Sequence, residues 1–169
     1  MTSTPRTTRE TTIRWEDPQP ALSALPTLSG LEYLRKMRDG ELPGAPIASH
    51  INMRPTDVDE GTVTFVCHPD ESHFNPLGTV HGGVMCTLLD SVVGCAAHTL
   101  LPAGVAYTSI ELKVNYLRPV HPENAPLTAT GRVVKAGRRV SFAEGEVTDA
   151  SGNVVATASG SLLIFPVGR

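Results

Sequence analysis

No stretch of this chain approaches the roughly 18 consecutive apolar residues that a membrane span needs, so none is predicted. Basic residues do not outnumber acidic ones: 14 Lys and Arg against 17 Asp and Glu leave a formal charge of -3. Without a basic field the chain cannot hold a phosphate backbone through counterion release, and no nucleic-acid partner is predicted. Cysteines number only three, Cys67, Cys86 and Cys95, with no C-x-x-C pair. In apolar surroundings such thiols act as small hydrophobes, a pattern that favours a reducing cytoplasm. The first 12 residues are rich in Thr and Arg but lead into no apolar region, so they do not read as a secretory signal. His50, His68, His73, His98 and His121 stand at no ligand spacing from Cys or acidic residues, and no metal is predicted. Neither a G-x-S-x-G elbow nor a G-x-x-x-x-G-K-[ST] loop occurs, which removes the serine-hydrolase and P-loop explanations.

What is present is a globular composition, 40% hydrophobic and 18% charged, over 169 residues, enough for one domain with a real core. Residues 1–27 contain Pro5, Pro18, Pro20 and Pro26 with little apolar period and read as an extended or disordered arm. Residues 28–46 read as a short helix and linker. Ser29 and Glu32 have capping-box spacing, Leu28, Leu31, Leu34 and Met37 recur every three residues, and Asp39-Gly40 supplies a stop. Residues 47–169 form the main domain. Gly61 to His68 alternates as a half-buried strand does, with a strand expected before it near Ile51 to Arg54. Alternation returns in Thr108–Arg118, Leu127–Lys135, Val140–Thr148 and Val154–Phe165, with turn chemistry at Ala136-Gly137 and Asp149-Ala150-Ser151-Gly152. The spacing suggests a four-strand antiparallel meander. Between the two groups of strands, residues 82 to 100 are apolar or small nearly all round, which predicts a long helix that a sheet buries on most sides.

Asp90 stands in that helix as its one evident ionisable residue. An unpaired carboxylate in an apolar setting costs several kcal/mol, so Asp90 is either satisfied by backbone amides or by a strand residue such as Lys113, or retained for function. Gly82-Gly83 at the helix start leaves first-turn N–H groups open to a ligand oxygen, in the manner of an oxyanion hole. The same pair equally permits a tight turn and close packing of helix on sheet. Lys135, Arg138 and Arg139 flank a glycine turn, either as a solvated hairpin end or as a phosphate-binding group.

The run N-P-L-G-T-V-H-G-G-V-M-C-T-L-L-D, residues 75–90, resembles the signature of the phenylacetate-degradation (PaaI-like) branch of the hotdog acyl-CoA thioesterases. The match continues through Tyr116-Leu117-Arg118-Pro119, Lys135-Ala136-Gly137-Arg138-Arg139 and the last strand, about 52–165. It implies an α+β hotdog fold, an antiparallel sheet wrapped around one long helix. The activity it implies is hydrolysis of a small acyl- or aryl-CoA thioester, with coenzyme A as part of the substrate and no separate cofactor. Carried over to this chain, the resemblance makes Asp90 the general base or nucleophile and the Gly82 amide the oxyanion donor. Asn75 would orient the water or carbonyl, and Ser109 matches a water-holding hydroxyl. His81 and Gly83 support the helix start, and Lys135, Arg138 and Arg139 hold the phosphates of coenzyme A.

Two other readings compete. Asn75-Pro76 superficially resembles a stretch used by hotdog hydratases and dehydratases, although His73 stands where an aspartate would be. A non-catalytic acyl-CoA-binding hotdog is the second. Asp90 lies eight residues beyond Gly82, roughly 12 Å along a helix axis at about 1.5 Å per residue, too far for one carbonyl to reach both. Two copies of the helix running side by side across a two-fold axis would bring one chain's Gly82 near the other's Asp90, so a homodimer at least is predicted. Similar proteins suggest a dimer of dimers.

Overall fold

The structure, a computed structural model, describes residues 7–168. Three short helices come first, α1 (Gln19–Ala24), α2 (Gly30–Arg38) and α3 (Pro46–His50), followed by strands β1 (Met53–Asp59) and β2 (Thr62–Cys67). The long helix α4 (Gly82–His98) then leads to β3 (Val105–Tyr116), β4 (Leu127–Lys135), β5 (Val140–Thr148) and β6 (Val154–Pro166). All six strands pair antiparallel in the order β1-β2-β4-β5-β6-β3, and α4 packs on one face of the sheet. This is the hotdog arrangement.

In β2, β4, β5 and β6 the period-two segments became strands because one side of each could be buried, whereas β3 has no fully buried residue. Val63, Phe65 and Cys67 of β2, with Leu127 and Ala129 of β4, turn inward onto Leu88, Leu89 and Val92 of α4. Helix α4 lies tight against the sheet at Gly131, where a Cβ would lie 2.2 Å from the Val92 carbonyl oxygen. Only glycine lets the helix lie there.

The meander expectation needs correction. Strands β4, β5 and β6 are consecutive neighbours, but β3 lies beyond β6 at the sheet edge and β4 is inserted beside β2. Short turns hold β4 to β5 and β5 to β6, whereas residues 117–126 between β3 and β4 contain Pro119, Pro122 and Pro126 and are too long to enforce a hairpin. Helix α4 is likewise less enclosed than expected. Val84, Met85, Leu88, Leu89, Val92 and Val93 are buried, but Gly83, Cys86, Thr87 and Asp90 form a strip that this chain leaves partly open.

Residues 7–27 are not all extended: Pro18 opens α1, whose Ala21 is buried, and the Leu25 carbonyl accepts from the Gly104 N–H. Residues 1–6 of the expected arm lie outside the described residues. Six helical residues are too few to show a period, and tertiary packing rather than propensity stabilises them. Helix α3 begins at Pro46, inside the expected linker. The capping box at α2 is present, with Ser29 Oγ accepting from the Glu32 N–H and the Glu32 carboxylate accepting from the Ser29 N–H.

Asp90 is not the only ionisable side chain of α4, because His98 lies in its last turn. The His98 ring is buried with its centroid 5.5 Å from both Tyr33 and Tyr107. Burial disfavours the imidazolium and pushes its pKa down to about 4 from the ordinary 6.5. Below pH 6.5 the unfolded chain therefore takes up a proton that the folded chain refuses, so this group's contribution to stability falls as pH drops from about 6.5 toward 4. Urea unfolding at pH 5.5 should show a stability about 1.3 kcal/mol below that at pH 7.5 from His98 alone. His98→Phe should flatten that part of the profile, and an unchanged profile would mean that the ring takes up a proton as readily in the folded chain as in the unfolded one.

Candidate active site

The loop from β2 to α4 is built around Asn75. Its Oδ1 accepts from the backbone N–H groups of Leu77 at 2.9 Å and Thr79 at 3.2 Å, while Nδ2 donates to Thr79 Oγ1 at 2.8 Å. The Asn75 N–H donates to the Thr79 carbonyl and Gly78 takes φ of 80°, closing a tight turn. Most of the carboxamide is thus occupied in shaping the loop, and one N–H of Nδ2 makes no hydrogen bond among the described residues. His81 N–H donates to the His73 carbonyl at 2.8 Å, which fixes where the helix begins.

His81 is the N-cap of α4: its Nδ1 accepts from the Gly83 N–H at 2.8 Å. The Gly82 N–H has no acceptor among the described residues. The first-turn donor left open at the positive end of the helix is therefore that of Gly82. Beside it lies a cleft of about 290 Å³ lined by residues including Asn75, Gly82, Met85, Tyr116 and Arg118.

Two turns along the same strip of α4 stands Asp90. Ser109, next to the bulge in β3, donates its Oγ–H to Asp90 Oδ1 at 2.6 Å. The satisfying partner is this hydroxyl, and Asp90 forms no ion pair with Lys113 among the described residues. Oδ2 accepts no hydrogen bond among the described residues.

The structure thus places two groups on one helix face, Asn75 with Gly82 and Asp90 with Ser109, separated by roughly 12 Å of helix. Lys135, Arg138 and Arg139 join neither. They are exposed at the β4–β5 hairpin, beyond Val133, which packs against a cluster that includes Val93 and Ala97 from the C-terminal half of α4. Two neighbours of the helix start were given no role from the sequence. Tyr116 places its hydroxyl 3.3 Å from the Gly82 carbonyl oxygen and 2.9 Å from Cys86 Sγ, and Arg118 donates to the Val154 carbonyl at 2.6 Å. Both stand in the Tyr116-Leu117-Arg118-Pro119 run, but only the fold shows that the end of β3 reaches the start of α4. The Tyr116 phenol is raised above its ordinary pKa, first by its hydrogen bond with Cys86 and then by burial, so it is protonated at neutral pH. Burial pushes the thiols of Cys67 and Cys95 up to about 12 and about 11, and thiols so raised are poor nucleophiles.

Residues 77–156 match the model of the thioesterase superfamily. A candidate esterase of Halobacterium salinarum is 38% identical over 96 residues, covering 52% of this chain and 62% of that protein. Acyl-coenzyme A thioesterase 13 of Mus musculus is 30% identical over 80 residues, covering 47% and 56%. The chain thus spans about three fifths of the length of these curated relatives. Among solved structures, a candidate thioesterase from Ralstonia eutropha, described as phenylacetic acid degradation-related, superposes with a TM-score of 0.71. It is 27% identical, with 78% of this chain and 98% of that one covered.

Proposed function

Starting from a hotdog-fold chain whose residues 77–156 match the thioesterase superfamily, we propose that it hydrolyses a small acyl- or aryl-CoA thioester to the free acid and coenzyme A. The observation that carries this reading is the pairing, on one open strip of α4, of an unaccepted Gly82 N–H with the Ser109-held carboxylate of Asp90. Acyl transfer needs a donor where the carbonyl oxygen gains charge, and a carboxylate that removes a proton from water or attacks the carbonyl itself. The thioester carbon gains a water hydroxyl, the carbon–sulfur bond breaks, and the thiolate leaves to become coenzyme A thiol. Ser109 fixes one carboxylate oxygen and leaves the other to act. No further cofactor enters this chemistry.

One chain cannot place both groups on one carbonyl, so the reading requires two copies of α4 side by side in a homodimer, with pairing into tetramers as a further step. The contact covers the strip at Gly83, Cys86 and Thr87 that a single chain leaves open. Lys135, Arg138 and Arg139 reach the nucleotide phosphates of the substrate from their exposed hairpin. Its setting in this reading is a reducing cytoplasm, where Cys67, Cys86 and Cys95 remain free thiols.

The hydratase alternative is disfavoured by His73. Its Nδ1 accepts from the Asp70 N–H at 3.0 Å and its Nε2 pairs with the His50 carbonyl at 2.9 Å, so neither nitrogen is free for acid–base work. The reading is tested by thiol release across a panel of saturated acyl- and aryl-CoAs, with crotonyl-CoA followed by enoyl absorbance. Thiol release is expected, with any fall in crotonyl absorbance matched by thiol released, and a fall in crotonyl absorbance without thiol would install the hydratase. In the same panel, joint Arg138→Ala and Arg139→Ala should raise KM for acyl-CoA about tenfold and spare a short thioester lacking the nucleotide. Equal losses on both would remove the phosphate role.

A further inference from the structure

Strand β3 meets α4 through three hydroxyls: Ser109 at Asp90, Tyr116 at the helix start, and Tyr107, 4.0 Å from Cys95 Sγ. Tyr116 Oη donates to the Gly82 carbonyl oxygen at 3.3 Å and lies 2.9 Å from Cys86 Sγ. A phenol has one proton, so both contacts hold together when the Cys86 thiol donates to Oη and the phenol donates to Gly82. The Gly82 carbonyl shares a peptide with the Gly83 N–H, which donates to His81 Nδ1 at 2.8 Å. A peptide polarised at its oxygen becomes a better donor at its nitrogen, so one chain of hydrogen bonds runs from Cys86 through Tyr116 and the 82–83 peptide to His81. With Nδ1 accepting, the neutral ring keeps its proton on Nε2. The phenol ring also lies against Gly82 itself, where a Cβ would meet Tyr116 Cε1 and Cζ at 3.1 Å.

We propose that Tyr116 is a positioning residue of the thioester site: its hydroxyl and ring hold the Gly82–Gly83 peptide, and through it His81, so that the unaccepted Gly82 N–H stays aimed at the oxygen that becomes negative in the tetrahedral state. The proposal rests on the thioester reading of the site. Because that charge exists only in the transition state, loosening the peptide lowers turnover and leaves ground-state binding nearly unchanged. A residue serving only the packing of β3 on α4 would instead change stability without this split.

Tyr116→Phe keeps the ring and removes the donor. With the best acyl-CoA, kcat should fall about three- to tenfold, of the order expected for one neutral hydrogen bond, while KM stays within about twofold. The Gly83 amide proton should move upfield in a proton–nitrogen correlation spectrum as its peptide loses polarisation. Cys86→Ala, which removes the donor to the phenol and leaves the ring in place, should shift the same amide in the same direction with a smaller fall in kcat. This second variant keeps the test intact if Tyr116→Phe folds poorly. Wild-type kcat, a loss carried by KM, or an unmoved Gly83 amide overturns the proposal. If Asp90→Asn is inactive in the same assays, the thioester reading survives that failure; if Asp90→Asn retains full turnover, that reading falls first.

Discussion

Replacing Asp90 by Asn should lower kcat for thioester hydrolysis about a hundredfold or more while leaving the fold intact. The amide has nearly the shape of the carboxylate, and its Oδ1 can still accept the Ser109 hydroxyl proton now received at 2.6 Å. What it lacks is the negative charge and basicity to deprotonate water or attack a carbonyl, and loss of a base or nucleophile typically costs 10²- to 10⁴-fold. Asp90 is only partly buried and forms no ion pair among the described residues, so the exchange leaves no orphaned partner in the core. Stopped-flow thiol release with a melting curve on the same sample checks both halves. Turnover near wild type would remove Asp90 from the chemistry.

The second large effect is recovery from two inactive chains. If the donor side of each site comes from one subunit and the carboxylate from its neighbour, then Asn75→Ala and Asp90→Ala chains, each nearly inactive alone, should regain activity when refolded together. Random pairing makes about half of the dimers mixed, and each mixed dimer assembles one intact site of two, so activity should approach about a quarter of wild type. Asn75→Ala acts by collapsing the turn, since its side chain holds Leu77, Thr79 and thereby the approach to His81. No recovery, with mixed dimers verified by native mass spectrometry, would mean that each site forms within one chain.

Local order explains which features could be read in advance. The capping box at Ser29 and Glu32 depends on residues three apart, and the strands 127–135 and 140–148 on alternation within nine residues, so both were legible. The short helices α1 and α3 were not, because nothing in five or six residues shows a period, and what stabilises them is the core against which they lie. Sheet order was misread at β3 for the same reason in reverse. A ten-residue connection leaves the neighbour of a strand to global packing, and β3 found β6.

For the site, the sequence by itself determined which groups are available: a carboxylate on an apolar helix, two glycines at that helix's start, and an asparagine in the turn before it. These follow from residue identity and spacing along one continuous segment, 75–90. Only the tertiary structure decided how they are used. It put Ser109, rather than Lys113, on Asp90, spent most of the Asn75 amide on its own loop, and brought Tyr116 against Gly82. The physical reason is that hydrogen-bond partners are selected by distance in space, and β3 runs back along α4 so that residues 19 and 34 positions away become contacts. No periodicity in a chain encodes such a contact, because the crossing of one strand over one helix is set by the whole sheet to which the strand belongs.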